Sequence, residues 1–333
     1  MIGLSVFYIE YVSYEIYASD WPNQRCFECV TFLLVADPQI IGEQNEKYPG
    51  SSLAIWDSDR YLKKTFSRAV EDSQPDVILF LGDIMDEGHI ASQSEFQKYE
   101  QRIENIFNTK DDIMKVYVPG DNDIGGEEDL VSHRKHERFI FTFGRQDSLI
   151  YKNILITKVN RLTETIPDIN NLLNSKSNVT TIILSHLPLL TKPGLFVDKV
   201  IEKLSPKIIF TAHDHKGSYS HMHSANHVVS PSESIVDEKF LMQLKLDPEI
   251  VHELQIPTCS YRMGTLKMGY GLAHIDTAGG TFDFTILWLP NRFFQLLFYL
   301  IEFSLVSFFL AWTVYSSRNH RTYRGILSEN HIE

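Results

Sequence analysis

Five short apolar runs, each ending in an acid or an imidazole, constrain this chain more than any other feature. TFLLVA (31–36) leads into Asp37-Pro38-Gln39. DVILFLG (76–82) leads into Asp83-Ile84-Met85-Asp86-Glu87, and KVYVPG (115–120) into Asp121-Asn122-Asp123. TTIILS (180–185) precedes His186, and PKIIFTA (206–212) precedes His213-Asp214-His215. Runs rich in Val, Ile, Leu and Phe that close on small or turn-forming residues have the pattern of strands buried on both faces. Longer segments with helical spacing lie between them, over about 58–72, 92–108, 133–143 and 194–204. This alternation predicts a layered α/β domain at about 30–286, two-sheeted or a sheet flanked by helices. LIYKNILITKVN (149–160) reads as a hairpin around Asn153. Residues 216–255 are polar and rich in His and Ser, and read as a long loop excursion with a short helix. TFDFTILWL (281–289) reads as a last strand.

In an α/β sheet the loops at the carboxyl ends of strands open onto one crevice. Asp37, Asp83, Asp121, His186, His213 and His215 are thereby expected in one place. Taken singly, an acid after a strand is an ordinary turn or cap residue. The joint placement is what carries chemistry. Carboxylate oxygens mixed with imidazole nitrogens suit Mn, Fe or Zn, whereas oxygen alone would suit Mg or Ca. Six such groups exceed one tetrahedral site and match a pair of cations about 3.5–4 Å apart, the usual machinery for in-line attack on phosphate. His221, His223 and His227 are read as ordinary surface groups.

Phe293 to Tyr315 (FFQLLFYLIEFSLVSFFLAWTVY) is long enough to cross a bilayer as a helix, and Trp288 and Trp312 suit the interfaces. Glu302 is a costly acid at mid-span, of the kind that faces a partner or a cavity. The boundaries read as 1–29 for an N-terminal segment, either a truncated anchor or an amphipathic surface segment, then 30–286, a transmembrane helix at 287–315 and a basic tail at 316–333. Arg318, Arg321 and Arg324 outnumber the lone upstream Arg292, which places the C-terminus in the cytosol and the domain in a lumen. The alternative is a tail anchor with a cytosolic domain. The sequon Asn178-Val179-Thr180 fits the lumen. A net charge of −12 leaves no electrostatic basis for binding nucleic acid. The three cysteines include one C-x-x-C, Cys26 and Cys29, read as buried or disulfide-paired.

The blocks DPQ, GD, GDND, SH and AHDH, over Asp37 to His215, resemble the D-x-H, G-D, G-N-H-D/E, H and G-H-x-H blocks of the calcineurin-like metallophosphoesterases. With LLVADPQIIG, LFLGDIMDEG, PTCSYRMGT and the C-terminal apolar segment, the chain is similar to the membrane-bound branch that removes ethanolamine phosphate from glycosylphosphatidylinositol (GPI) anchors in the early secretory pathway. The resemblance implies a sandwich of two sheets flanked by helices, two divalent ions (Mn, with Fe or Zn as alternatives), and a GPI glycolipid or GPI-anchored protein as partner at the ER or Golgi membrane. It also implies Asp37, Gln39 and His215 on a first metal, Asp83 between both, and Asp121, His186 and His213 on a second. Gln39 stands where the pattern has a ligating His, and Asp121 where it has Asn. Asn122 replaces the His that protonates the leaving oxygen or binds phosphate. The catalytic positions are then Asn122, for phosphate contact, and Asp123, with Asp86 another candidate acid. Two other readings remain open: a phosphoesterase on another substrate, and a catalytically weak membrane protein that binds metal or cargo.

Overall fold

The computed structural model describes residues 2–22, 26, 28–110, 112–127, 129–175, 179–225, 227–276 and 280–329. The sequon's Asn178 lies outside them, as do the side chains of 319–329, including Arg321 and Arg324. The chain divides into two units. One holds the residues up to Ser13 with those from Asn291 on, and the other is Tyr14–Pro290.

The elements run in order from α1 (Ile2–Phe7), a π-helical turn (Tyr8–Val12) and α2 (Ser13–Ser19) to β1 (Cys29–Val35), α3 (Ser51–Ser73), β2 (Val77–Phe80), α4 (Gln93–Ile106) and β3 (Met114–Tyr117). Next come α5 (Asp121–Ile124), α6 (His133–Phe143), β4 (Ser148–Tyr151), β5 (Ile154–Lys158), α7 (Asn170–Ser175), β6 (Thr180–Leu184), α8 (Leu195–Leu204) and β7 (Ile208–Thr211). Five strands follow: β8 (Ser218–His223), β9 (Val228–Val229), β10 (Glu233–Ser234), β11 (Leu241–Lys245) and β12 (Ile250–Gln255). The last elements are β13 (Gly269–Asp276), β14 (Thr281–Trp288) and α9 (Arg292–Glu329).

One sheet has the order β11-β14-β13-β1-β2-β3 and the other β10-β8-β12-β7-β6-β5-β4, with β9 beside β8. The inner faces meet through Phe32, Leu34, Leu79, Ile156, Ile182, Leu184, Phe210 and Phe284, all fully or almost fully buried. A buried side chain of this size contributes roughly 1.5–3 kcal/mol. Leu33, Ile78 and Phe80 alternate to the outer face of the first sheet, where they pack with Tyr61, Leu62 and Phe66 of α3 and Phe96, Tyr99 and Ile103 of α4. Leu155, Ile183 and Ile209 do the same against Val197, Val200 and Ile201 of α8. The result is helix, sheet, sheet, helix. The helix-period spacing of Phe96, Tyr99, Ile103 and Ile106 supplies the buried stripe of α4, and Ser92 with Glu95 forms a reciprocal cap at its start.

Several expectations are corrected. Residues 216–255 hold β8 to β12 and no helix among the described residues. The polar residues of β8 alternate with buried ones, Ser220 and Met222, so the segment is a half-covered strand on the outer part of a sheet. Gly269–Asp276, not anticipated at all, is the strand that pairs with both β1 and β14. Its glycines mask the strand pattern, but Gly271 lies so close to Leu34 and Ile256 that a Cβ would sit 2.8 Å from one and 3.0 Å from the other. The apolar C-terminal helix begins at Arg292 rather than 287, because β14 runs to Trp288 and Pro290 follows. It continues through residues 316–329, which were expected to be a tail. Cys26 and Cys29 form a disulfide, and Cys259 is free and buried.

Within the terminal unit, the segment Arg292–Arg318 is long and apolar enough to span a membrane, and large apolar side chains from Phe293 to Tyr315 face outward. Its polar groups are matched. Arg292 is 2.9 Å from both Glu10 and Gln295, and the Tyr299 hydroxyl donates to Glu10 at 3.0 Å. Ser5 donates to Glu302 at 2.9 Å, giving the mid-span acid a partner.

His252 on β12 is buried next to His221, its register partner on β8, and its Nδ1 meets the Tyr219 hydroxyl at 2.9 Å. Burial, then the facing His221, pull its pKa down to about 4 against the opposing pull of Asp247. Between the ordinary histidine pKa and this value the unfolded chain binds the proton first. This contribution to stability is therefore whole above about pH 6.5 and lost as pH falls toward 4. The expected result is a melting temperature that drops on acidification through this window, with a slope reduced in His252→Gln. An unchanged slope in the variant would count against it.

Candidate metal centre

The three acids come from one sheet and the three imidazoles from the other. Asp37, Asp83 and Asp121 follow β1, β2 and β3, which run parallel. His186 follows β6, and His213 and His215 follow β7, parallel in the second sheet. The expected residues meet where the carboxyl ends of the two sheets face each other. His186 Nε2 lies 3.0 Å from Asp121 Oδ1 and 3.5 Å from Asp83 Oδ1, and its Nδ1 lies 3.9 Å from Asp37 Oδ1. His213 Nδ1 is 3.2 Å from Asp121 Oδ1. Gln39 Nε2 donates to Asp83 Oδ2 at 3.1 Å and lies 3.2 Å from His215 Nε2, which brings both residues to the Asp83 side of the cluster.

The turns that make this convergence possible are strained. Asp37, Gln39, Asp83, His213 and His215 all have left-handed backbones, with φ of 45°, 38°, 50°, 77° and 59°. Such conformations cost about 1–3 kcal/mol each and gather at functional sites. Gly82 (φ 97°) and Gly120 are required by close approach. A Cβ on the first would enter the His186 ring at 2.5 Å, and one on the second would lie 2.1 Å from Asp83 Oδ1.

Supporting groups orient the cluster. His186 Nδ1 is 2.9 Å from the Leu81 carbonyl, which leaves Nε2 for the cluster. Glu253, buried in β12, accepts N–H groups of Leu189, Leu190 and Thr191 just beyond His186. Thr258 donates to the Asp37 carbonyl at 2.7 Å. Sequence reading missed these positions. The one available signal was an acid inside the apolar run of β12.

Two positions behave differently from the expectation. Asp123 is fully buried, and its oxygens accept the N–H groups of Ile84, Met85 and Gly120 at 3.2, 3.0 and 2.9 Å. Its carboxylate clamps two site loops together, so its place is structural rather than at the reacting phosphate. Asn122 directs both its backbone N–H and its Nδ2 to Asp83, each at 3.0 Å. It holds that carboxylate in place as well as lying at the rim.

Asp37, Asp83 and Asp121 are at most 4% exposed. Burial, opposed by His186, raises the pKa of Asp37 and Asp83. For Asp121 burial acts upward too, but the two imidazoles outweigh it and bring the net shift down. His186 is pushed down by burial, yet the surrounding acids raise it to about 10. Asp37 Oδ1 is buried without a hydrogen-bond partner among the described residues. Crowded buried anions and an orphaned acceptor need positive charge. The donor atoms form two groups, Asp37/Asp83/His186 and Asp121/His186/His213, each with its ligand atoms within 4.8 Å of one another. The residues present therefore fit a pair of divalent ions.

The description of the calcineurin-like phosphoesterase family matches residues 30–217, which hold every residue of this cluster. This chain belongs to that family. That family has a metal-dependent hydrolase fold, and the two donor groups of this chain suit it. Relatives include the Metallophosphoesterase 1 homolog of Drosophila melanogaster, 30% identical over 28% of this chain and 24% of its own length. The Metallophosphoesterase 1 homolog of Caenorhabditis elegans is 25% identical over 65% of this chain and 70% of its length. Cell division control protein 1 of Saccharomyces cerevisiae is 26% identical over 59% of this chain and 48% of its length. The matches to the fly protein and to Metallophosphoesterase 1 of Pongo abelii span only 24% and 38% of those relatives. Among solved structures, purple acid phosphatase PPD1 of yellow lupin aligns with a TM-score of 0.45 at 12% identity, covering 79% of this chain and 54% of that one.

Proposed function

We propose that this phosphoesterase is a membrane-anchored phosphodiesterase that removes ethanolamine phosphate from GPI glycolipids or GPI-anchored proteins, with its catalytic domain on the lumenal side of the ER or Golgi membrane. The observation that carries the reading is the meeting of three buried acids from one sheet with three imidazoles from the other, around an orphaned Asp37 oxygen. The span-length helix α9 supports a lipid-borne substrate, and the relatives named Metallophosphoesterase 1 and Cell division control protein 1 support the branch.

Asp37, Gln39, Asp83 and His215 would hold one ion, and Asp83, Asp121, His186 and His213 the other, with Mn²⁺ the first candidate. Bound there, two divalent ions supply Lewis acidity for in-line displacement at a phosphate ester. Leu81 and Asn122 fix the orientations of His186 and Asp83, and Asp123 keeps the loops after β2 and β3 in register. Asn122 can donate a hydrogen bond to a phosphoryl oxygen but cannot give up a proton. Asp86 is half-buried, and burial, then Glu87, raise its pKa to about 6. It is the acid on the loop after β2 best placed in pH to protonate a leaving oxygen.

Full-length protein in detergent with Mn²⁺ is expected to hydrolyse bis(p-nitrophenyl) phosphate. Cells lacking it are expected to accumulate GPI intermediates with extra ethanolamine phosphate, cleared by the wild type and not by Asp83→Asn. Hydrolysis without that accumulation would direct the reading to another phosphodiester; no metal-stimulated turnover at all would sink it. An endoglycosidase shift that disappears in Asn178→Gln tests the lumenal side. Gln39→His is expected to tighten the ion on the Asp37 side about tenfold, the scale of single changes around a metal site. Competition with a chromophoric chelator measures this, and equal affinities would show that position 39 does not ligate.

A further inference from the structure

A cavity of about 680 Å³ opens between the loop after β2 and helix α6. Its wall carries His89, Arg134, Lys135, Arg138 and Arg145 against a single acid, Glu137, in a chain whose net charge is −12. His89 connects it to the metal cluster. Its backbone N–H donates to the Asn122 carbonyl at 2.7 Å and its Nδ1 lies 3.1 Å from the same oxygen, while Asn122 Nδ2 reaches Asp83.

The positive charge is not neutralised from within. Lys135 is paired with Asp129. Arg138 donates to the Ala91 and Gly88 carbonyls, each at 2.8 Å, above the ring of Phe96. Arg134 and Arg145 have no ion-pair partner among the described residues, and Arg145 packs over Phe141. Burial, then the charge of Arg134, lower the pKa of Arg138. Helix α6 also begins His133-Arg134-Lys135, with no acid in its first turn and no side-chain cap from Ser132. The macrodipole disfavours cations there and favours an anion. Local electrostatics that oppose folding, gathered around one cavity next to a reactive centre, mark a place built for a ligand. A phosphate satisfies all of them, since guanidinium groups and helix N–H groups both recognise its oxygens.

We propose that this cavity binds a second phosphate group carried by the same substrate whose ester meets the metal cluster. The inference rests on the phosphodiesterase reading above and narrows its substrate class to molecules with two phosphates. Arg134 and Arg145 contribute the free charges, and His89 forms the wall shared with the cluster.

The test compares thymidine 5′-(p-nitrophenyl phosphate) with its 3′-phosphorylated counterpart, two diesters that differ only in a second phosphate. Wild-type protein in detergent is expected to favour the second by about 10–30-fold in kcat/KM, chiefly through KM, the scale of a few charge-assisted hydrogen bonds. In Arg134→Gln/Arg145→Gln the ratio is expected to fall to about one. Equal kcat/KM values in the wild type, or a preference that survives in the double variant, would overturn the proposal. Inorganic phosphate added to chelator-treated protein, followed by ³¹P line broadening, needs no turnover. Broadening lost in the double variant upholds the cavity even where hydrolysis fails, and its absence overturns it. Broadening combined with no preference between the diesters would make this a site for free phosphate and refute the substrate-borne form.

Discussion

Asp83→Asn is expected to cut metal-dependent phosphodiesterase activity by about 10³-fold and to lower bound metal from two equivalents to one or none. The magnitude follows from losing Lewis-acid assistance worth several kcal/mol, at roughly 1.4 kcal/mol per tenfold. Asp83 is the natural position for so large an effect. It faces His186, belongs to one of the two donor groups, and receives hydrogen bonds from Gln39 and twice from Asn122. A carboxamide keeps the shape and removes the charge. The metal-free melting temperature of the variant, read beside that of the wild type, reports whether the fold is kept. This separates loss of chemistry from loss of fold. Metal analysis with kinetics on the same preparation decides the matter: two equivalents and near-normal turnover in the variant would remove Asp83 from the centre.

Asn122→His is expected to act in the opposite direction, raising kcat by about 10²-fold, the lower end of what a positioned acid–base group provides. Asn122 is only partly buried, so a ring has room at the rim. Its side chain starts from a backbone already tied to Asp83 through its own N–H, and that anchor survives the substitution. An imidazolium at this point can protonate the leaving oxygen, which a carboxamide cannot do. The pH profile is the discriminating readout. The variant's kcat should decline as pH rises through the imidazole pKa, a limb that persists in Asn122→His/Asp86→Asn and is absent from Asp86→Asn alone. A variant no faster than wild type, or one without that limb, would mean that leaving-group protonation comes from elsewhere, with Asp86 the first group to substitute.

The buried strands were the most legible part of the fold. β1, β2, β6 and β7 announce themselves because both faces are covered, so the run is mostly apolar and stops where the chain turns, and the edge strand β3 was legible from the short run that ends in Pro-Gly. α6 and α8 were read nearly to the residue, since a helix packed on one face repeats its apolar positions at a fixed period. β8 to β11 were read as loop because strands on the outer part of a sheet keep polar side chains on their open face, and β12 because its buried positions include His252, Glu253 and Gln255. β13 was missed because close packing against β1 favours glycine where a strand pattern would have Val or Ile.

At the site, residue types and order were visible in the sequence, and their roles were not. Asp121, Asn122 and Asp123 are consecutive, yet the first faces imidazoles, the second holds Asp83 and the third clamps loop amides. A helical turn starting at Gly120 sends successive side chains in different directions, so only coordinates could separate them. The cationic cavity was invisible for the same reason. Its charges come from residues 89 to 145, spread over a loop and a helix, and no short motif records them.

What the sequence determined by itself was the layered α/β framework, the apolar terminal helix and the set of acids and imidazoles at strand ends, because burial and period act locally along the chain. Only the tertiary structure decided that acids from one sheet would face imidazoles from the other, which carboxylate would be left without a partner, and where the cations of α6 would gather. Those outcomes depend on the packing of two sheets against each other, a long-range arrangement that no local pattern encodes.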